Sequence, residues 1–135
     1  MITQMDSQVL QLMEGVPGQC MDQLIRNGVS LTALDNLSRH GVSAVNLGII
    51  SAPTLRRRQI KGERLSLDEG DRLYRVSKLV ILAEHVFGDK TKSAHWLNKA
   101  QKTFGGLAAL EAATTTPGYC AVEEALELIS HGFFA

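Results

Sequence analysis

The chain of 135 residues is long enough for one domain or two very small ones, and its 44% hydrophobic content supplies a core. Its 14 basic and 14 acidic side chains cancel, which excludes a strongly charged protein. The two cysteines, Cys20 and Cys120, are too few and too far apart for a secreted disulfide scaffold, and we expect reduced, buried thiols. With no leader sequence and no apolar run near the ~20 residues that span a membrane, the sequence predicts a cytoplasmic protein with no membrane partner.

The neutral total hides an uneven distribution of charge along the chain. Residues 1–50 carry a net charge of −2, residues 51–102 of +6, and residues 103–135 of −4 with no Lys or Arg. A basic middle and an acidic end indicate two surfaces that bind different partners.

The first part of the chain has the pattern of short helices separated by glycines. Residues 1–14 are either a short helix or a frayed tail. Residues 19–27 and 31–40 have the apolar spacing of helices, which Gly28 and Gly41 end. Because aromatic residues and prolines are scarce and no long alternation of Val, Ile and Thr occurs, the whole chain is predicted to be all-α.

Residues 43–64 have the outline of a small, degenerate helix-turn-helix. A short predicted helix over 43–47 is followed by a turn at Gly48 and by a basic helix that Ser51 caps and Gly62 ends. Such a basic run favours binding to nucleic-acid phosphates and base edges, and the alternative is a solvated helix face that binds nothing. The basic side chains concerned are Arg56, Arg57, Arg58 and Lys61.

The clearest predicted element is a helix over residues 66–87. Ser66 and Glu69 form the S-x-x-E capping box at its start. Apolar residues occupy more than one of its faces, which in so small a protein predicts contact with a partner or with a second copy of the chain. The predicted homodimer interface consists of Tyr74, Ile81 and Leu82.

The last third of the chain is predicted to form three more helices. They cover residues 90–101, 107–113 and 120–131, and the Pro-Gly pair lies in a predicted loop over 114–119. The chain then ends in Gly-Phe-Phe-Ala. Two terminal phenylalanines either fold back on the core or insert into a partner.

No motif in the sequence indicates catalysis, a metal site or a cofactor. There is no Walker loop, no G-x-S-x-G and no G-x-G-x-x-G. The adjacent acids Glu123 and Glu124 point in different directions on a helix and make no acid/base pair. The four histidines lack the spacing of metal ligands. They are His40, His85, His95 and His131.

Several short motifs follow one another with few gaps. From Ser66 onward they are Asp71-Arg72-Leu73, Phe87-Gly88-Asp89, Trp96-Leu97, Phe104-Gly105-Gly106, Gly118, Val122, Leu126 and Gly132, and upstream they are Thr54-Leu55, Arg57-Arg58 and Leu65-Ser66. Together these motifs resemble the Xre-type antitoxins that pair with RES-domain toxins. The first set resembles their toxin-binding domain over about half the chain, and the second resembles their DNA-recognition segment. One departure is Ala108-Ala109, where the family often has proline.

The resemblance implies a type II antitoxin, which is not an enzyme. Residues 1–64 would be the helix-turn-helix-like region for DNA binding and dimerisation, and residues 65–135 the toxin-binding domain. The implied partners are operator DNA, a second copy of the chain, and a RES-domain toxin with an ADP-ribosyltransferase-like fold that degrades NAD+. The antitoxin would cover the active site of the toxin and repress its own operon.

The resemblance and the charge pattern together assign candidate residues to each surface. Thr54 joins the basic side chains of the predicted DNA-binding set. The predicted toxin-binding residues are Trp96, Phe104, Gly105, Gly106, Glu123, Glu127, Phe133, Phe134 and Ala135. Two alternatives remain open: a helix-turn-helix transcriptional regulator without a toxin, and an adaptor that has lost DNA binding.

Overall fold

The computed structural model describes residues 3–132. Over these residues the chain is helical, and its extended backbone pairs only in an isolated bridge between Ala100 and Ala108. The predicted all-α class is therefore confirmed. The helices are α1 (Gln4–Leu12), α2 (Met21–Asn27), α3 (Thr32–Arg39), α4 (Ala52–Lys61), α5 (Leu67–Phe87), α6 (Lys90–Asn98), α7 (Ala109–Ala112) and α8 (Thr116–Ser130), with a 3-10 turn at Lys102–Phe104.

The chain divides into two compact units, Met1–Ser77 and Lys78–Ala135, and the division falls within α5. The sequence placed the domain boundary earlier, after residue 64. The later division has a physical cause, since the first turns of α5 are tied to the loop between α3 and α4. The Arg72 guanidinium donates two hydrogen bonds to the carbonyl oxygen of Ile49, at 3.2 and 3.3 Å.

The first unit has an apolar core supplied by α1, α2, α3, the loops that follow these helices and the first turns of α5. The N-terminal stretch is a helix, begun by the Thr3 hydroxyl, which accepts a hydrogen bond from the Asp6 amide at 3.0 Å. Asn36 of α3 donates to the Leu12 carbonyl at 2.8 Å, which closes the end of α1. The most deeply buried side chains of this unit include Met13, Val29, Leu37, Val42, Ile49 and Leu73.

Residues 43–47 form a hydrogen-bonded turn, so the prediction of a short helix there is wrong. One helical bond forms, from the Leu47 amide to the Ser43 carbonyl at 3.2 Å. Gly48 then takes a φ of 75°, a left-handed conformation that turns the chain out of the helical path. The helix-turn-helix outline therefore has a turn where the sequence predicted its first short helix.

The caps predicted for the two central helices are confirmed. The Ser51 hydroxyl accepts from the Thr54 amide at 3.3 Å, and Gly62 ends α4 in the left-handed conformation. At the start of α5 the Ser66 amide donates to the Glu69 carboxylate at 2.8 Å, and the Glu69 amide donates to the Ser66 hydroxyl at 3.2 Å. This reciprocal pair is the predicted capping box.

The second unit differs from the prediction at several helix ends, among them the start of α7, which is Ala109 and not residue 107. Helix α6 stops at Asn98, before the predicted residue 101. Helix α8 begins at Thr116, so the Pro-Gly pair predicted as a loop forms its first turn. Proline is tolerated there because the amide it lacks would have no helical partner. The Thr115 hydroxyl caps this turn by accepting from the Gly118 amide at 3.1 Å.

The two cysteines differ from the expectation of buried thiols. Cys20 precedes α2 and Cys120 lies on α8, and both are exposed. Both are free thiols. None of the helices over residues 3–132 is long and apolar enough to cross a membrane.

Candidate functional site

Helix α4 has two faces of different character. None of the residues of α4, all of which the structure describes, is fully buried. Thr54, Leu55 and Arg58 are half-buried and face the first unit. Arg56, Arg57, Ile60 and Lys61 are exposed. The consecutive arginines therefore separate, because successive positions on a helix lie about 100° apart. We call the exposed set, together with Pro53, the outward face of α4.

Arg58 is held inside the first unit by a carboxylate. Its Nε lies 3.2 Å from Oε1 of Glu69, and its Nη2 lies 3.4 Å from Oε2. The two side chains are only 17% and 9% exposed. Nη1 also donates to the Arg64 carbonyl at 3.3 Å. These contacts tie α4 to the capping box of α5, so the structure places Arg58 away from the outward face.

Thr54 has a local role at the start of α4. Its hydroxyl accepts a hydrogen bond from the Ser51 hydroxyl at 2.8 Å. Its amide donates a hydrogen bond to the Ser51 hydroxyl oxygen. The side chain is half-buried. Thr54 thus fixes the first turn of the helix and is not part of the outward face.

The outward face carries positive charge with no acidic neighbour on the helix. Within residues 3–132, no hydrogen bond or ion pair holds Arg56, Arg57 or Lys61. The acid that follows the helix, Glu63, lies 4.0 Å from Arg58, the arginine that faces the unit. Long, exposed cations of this kind are suited to the phosphates of a nucleic acid.

In the second unit, the predicted toxin-binding aromatic residues belong to a buried cluster. The ring centroid of Trp96 lies 5.8 Å from that of Phe87 and 5.9 Å from that of Phe104, the latter pair edge to face. Trp96 is 4% exposed and Phe104 8%. Aromatic pairs in this geometry stabilise the core. The two rings therefore support the surface and present almost no area of their own.

The glycines that follow this cluster do lie on the surface. Gly105 and Gly106 are exposed and have φ values of 65° and 88°. The positive φ values explain the residue type, since side chains other than glycine are strained there. The predicted Gly-Gly contact is thus an exposed, tight turn beside the aromatic cluster.

Helix α8 carries the acidic side chains in two settings. Glu123 is half-buried and accepts a hydrogen bond from the Tyr119 hydroxyl at 3.2 Å, with the ammonium of Lys78 at 3.9 Å. Burial raises the pKa of the Tyr119 phenol above its usual value. Glu127 is exposed, as is Glu124. Glu124 and Glu127 are therefore the acidic side chains of α8 that face solvent.

The remaining predicted sites have mixed outcomes. Phe133, Phe134 and Ala135 lie outside the described residues. Tyr74 and Leu82, predicted for a homodimer interface, are half-buried, whereas Ile81 is only 5% exposed within the single chain and has little surface to offer. Over residues 3–132, no group of three or more His, Cys, Asp or Glu side chains is placed to hold a metal ion.

Comparisons with known proteins match both units. A family model described as the antitoxin Xre-like helix-turn-helix domain matches residues 21–78. A second, described as the antitoxin Xre/MbcA/ParS C-terminal toxin-binding domain, matches residues 82–132. The chain belongs to the Xre-type antitoxin family.

A relative from Pseudomonas putida (strain KT2440) supports this membership of the Xre-type antitoxins. The curated protein, Antitoxin Xre, is 39% identical to this chain over 85 residues. The match covers 63% of this chain and 54% of that protein. The chain thus spans about half the length of this relative.

Sequence reasoning missed two exposed apolar side chains in the Xre-type domains. Ile60 lies on the outward face of α4, and Leu128 lies beside Glu124 and Glu127 on α8 with 47% of its surface exposed. A signal for Ile60 exists in the sequence. It is about 140° around the helix from Leu55, the apolar residue that faces the unit, so one of the two had to face water.

Proposed function

We propose that this protein is an antitoxin that binds and blocks a toxin through its second unit and binds operator DNA through the outward face of α4. The observation that carries the proposal is the presence of both antitoxin domains in one chain, at residues 21–78 and 82–132. The antitoxin acts as a non-enzymatic inhibitor and regulator in the cytoplasm, where its DNA and its toxin would both be found.

The proposed toxin is a RES-domain protein that degrades NAD+. Motifs of the second unit resemble the antitoxins that pair with such toxins. Cationic side chains favour the binding of a dinucleotide diphosphate in an active site, and an acidic partner surface complements them. On α8 the exposed Glu124 and Glu127 flank the exposed Leu128, which combines negative charge with an apolar contact. We propose that this acidic face of α8 covers the mouth of the toxin's active site.

The proposed antitoxin acts as a homodimer on DNA and represses its own operon. Two-fold protein symmetry suits palindromic half-sites, each read by one helix. Tyr74 and Leu82 of α5 are half-buried and retain surface for a second copy. Ile81 is withdrawn from the proposed interface because a single chain already buries it.

The toxin half is tested by purifying the product of the reading frame adjacent to this protein's gene, the proposed RES-domain toxin, and measuring its hydrolysis of NAD+. We expect wild-type protein to abolish hydrolysis at equimolar concentration. The double variant Glu124→Gln and Glu127→Gln should weaken inhibition at least about tenfold, because two charges leave the proposed interface. Asp35→Asn, an exposed acid on α3, is the matched control and should inhibit like wild type.

Full inhibition by the α8 double variant would move the inhibitory contact to another part of the second unit. No inhibition by wild-type protein would remove the RES toxin as the partner. A helix-turn-helix regulator without a toxin would then be the better description, and the cationic outward face of α4 is the feature that favours it.

A further inference from the structure

The outward face of α4 contains a shallow depression with an apolar floor. Its volume is about 280 Å³, and it is lined by Pro53, Arg56, Arg57, Ile60 and Lys61. Ile60 is 79% exposed, more than any other large apolar side chain in the described residues. An isoleucine left in water adds little to folding, because the hydrophobic effect rewards only buried surface. Its position among cations on a helix-turn-helix domain calls for another role.

The surroundings of Ile60 restrict the chemistry of a ligand. The ionisable side chains that line the depression are all cationic. The nearby acid Glu63 lies 4.0 Å from Arg58, and neither residue lines the depression. Arg56 and Arg57 lie one helical turn before Ile60, so their charges and its methyl groups face the same way. A ligand for this face therefore combines negative charge with an apolar group that Ile60 can reach.

Duplex DNA has both features in its major groove. Phosphates line the groove, and thymine is the base that presents an apolar group there, its C5 methyl. The B-form major groove admits an α-helix, whereas the major groove of A-form RNA is too deep and narrow for side chains to read. A double-stranded DNA site therefore fits this face of the protein better than RNA does.

We propose that Ile60 contacts the C5 methyl of a thymine and makes the protein select thymine at that position of its operator. Arg56, Arg57 and Lys61 hold the flanking phosphates or base edges. This inference rests on the proposed operator binding and adds the residue that reads the base. An aliphatic side chain has no hydrogen bond to offer, so the thymine methyl is the major-groove feature it can recognise.

The test first selects bound sequences from a pool of random DNA duplexes with the wild-type protein. Each thymine of the selected site is then replaced singly by deoxyuridine, which lacks only the methyl group. We expect one position per half-site at which this change weakens wild-type binding about fourfold, the value for losing one buried methyl. Ile60→Ala should bind more weakly and show no further loss at that position.

Two variants serve as controls for Ile60→Ala. Ile60→Val keeps methyl groups on the side chain and should still distinguish thymine from deoxyuridine. Gln59→Ala changes an exposed residue of α4 outside the depression and should behave like wild type. Because Ile60 and Gln59 are exposed, all three variants should keep the wild-type melting temperature.

The outcomes separate the inference from the proposed function. If a selected duplex binds but Ile60→Ala still distinguishes thymine from deoxyuridine, or wild type does not, the role of Ile60 is overturned and operator binding stands. If no duplex is selected, operator binding and the role of Ile60 both fall. Preference for single-stranded RNA over every duplex would overturn both in the same way.

Discussion

The three consecutive arginines of α4 show how differently neighbouring residues act. Arg56 and Arg57 are exposed cations, while Arg58 lies against Glu69 with little exposure. The Glu69 carboxylate makes two kinds of contact, because besides pairing with Arg58 it accepts a hydrogen bond from the Ser66 amide in the capping box. One residue step thus changes an arginine from a candidate DNA contact into a structural tie.

Replacing Arg58 with Ala should destabilise the first unit. It leaves a mostly buried carboxylate without its partner, a change that costs about 3 kcal/mol. Arg57→Ala, the matched control, should alter the free energy of unfolding by less than about 0.5 kcal/mol, as expected for an exposed residue. Urea unfolding followed by circular dichroism measures both. Equal stability of the two variants would contradict the structural assignment of Arg58.

Replacing Arg56 and Arg57 together with Ala should weaken operator binding without unfolding the protein. If each contacts one phosphate, the slope of log affinity against log salt concentration should become shallower by about 2. Fluorescence anisotropy at several salt concentrations measures this slope, with Arg26→Ala on α2 as a control for loss of an exposed positive charge. An unchanged slope would place the phosphate contacts elsewhere.

At the scale of elements, two helical glycines differ in the space that is left for a side chain. A Cβ at Gly118 would overlap the backbone carbonyl of Ala112, so the start of α8 approaches the end of α7 too closely for a side chain. A Cβ at Gly70 would meet Cγ2 of Ile25 at 3.4 Å and of Val29 at 3.5 Å, which is ordinary contact.

The two glycines therefore predict opposite effects of the same substitution. Gly118→Ala should lower the free energy of unfolding by about 2 kcal/mol, because overpacking forces the backbone to move. Gly70→Ala should raise it by up to about 1 kcal/mol, since alanine favours the helix. Thermal unfolding of both variants is the measurement. A destabilised Gly70→Ala or a neutral Gly118→Ala would contradict the described packing.

Helix ends with side-chain caps could be predicted from the sequence, and less local features could not. Ser51, the Ser66–Glu69 box and Gly62 act through residues close in sequence, so their pattern is readable. The first turn of α8 was missed because Pro-Gly usually marks a loop. The burial of Trp96 and the pairing of Arg58 depend on tertiary neighbours, which spacing along the chain does not identify.

At the scale of the whole molecule, the two domain matches divide the chain. The helix-turn-helix match contains all of α4, and the toxin-binding match contains all of α6, α7 and α8. The acidic segment 103–135 belongs to the second unit, whereas the basic segment 51–102 extends into both units. The central claim is therefore that DNA binding and toxin inhibition use separate surfaces and can be lost independently.

The most direct test of that claim measures cellular NAD+ in cells that express the proposed toxin, the product of the adjacent reading frame. It is expressed alone, with wild-type protein, or with the Arg56→Ala and Arg57→Ala double variant. We predict that NAD+ falls with the toxin alone and recovers equally with wild type and the double variant, while only wild type represses a reporter driven by the operator. Failure of the folded double variant to restore NAD+ would contradict the account, since the two surfaces would then not be separate.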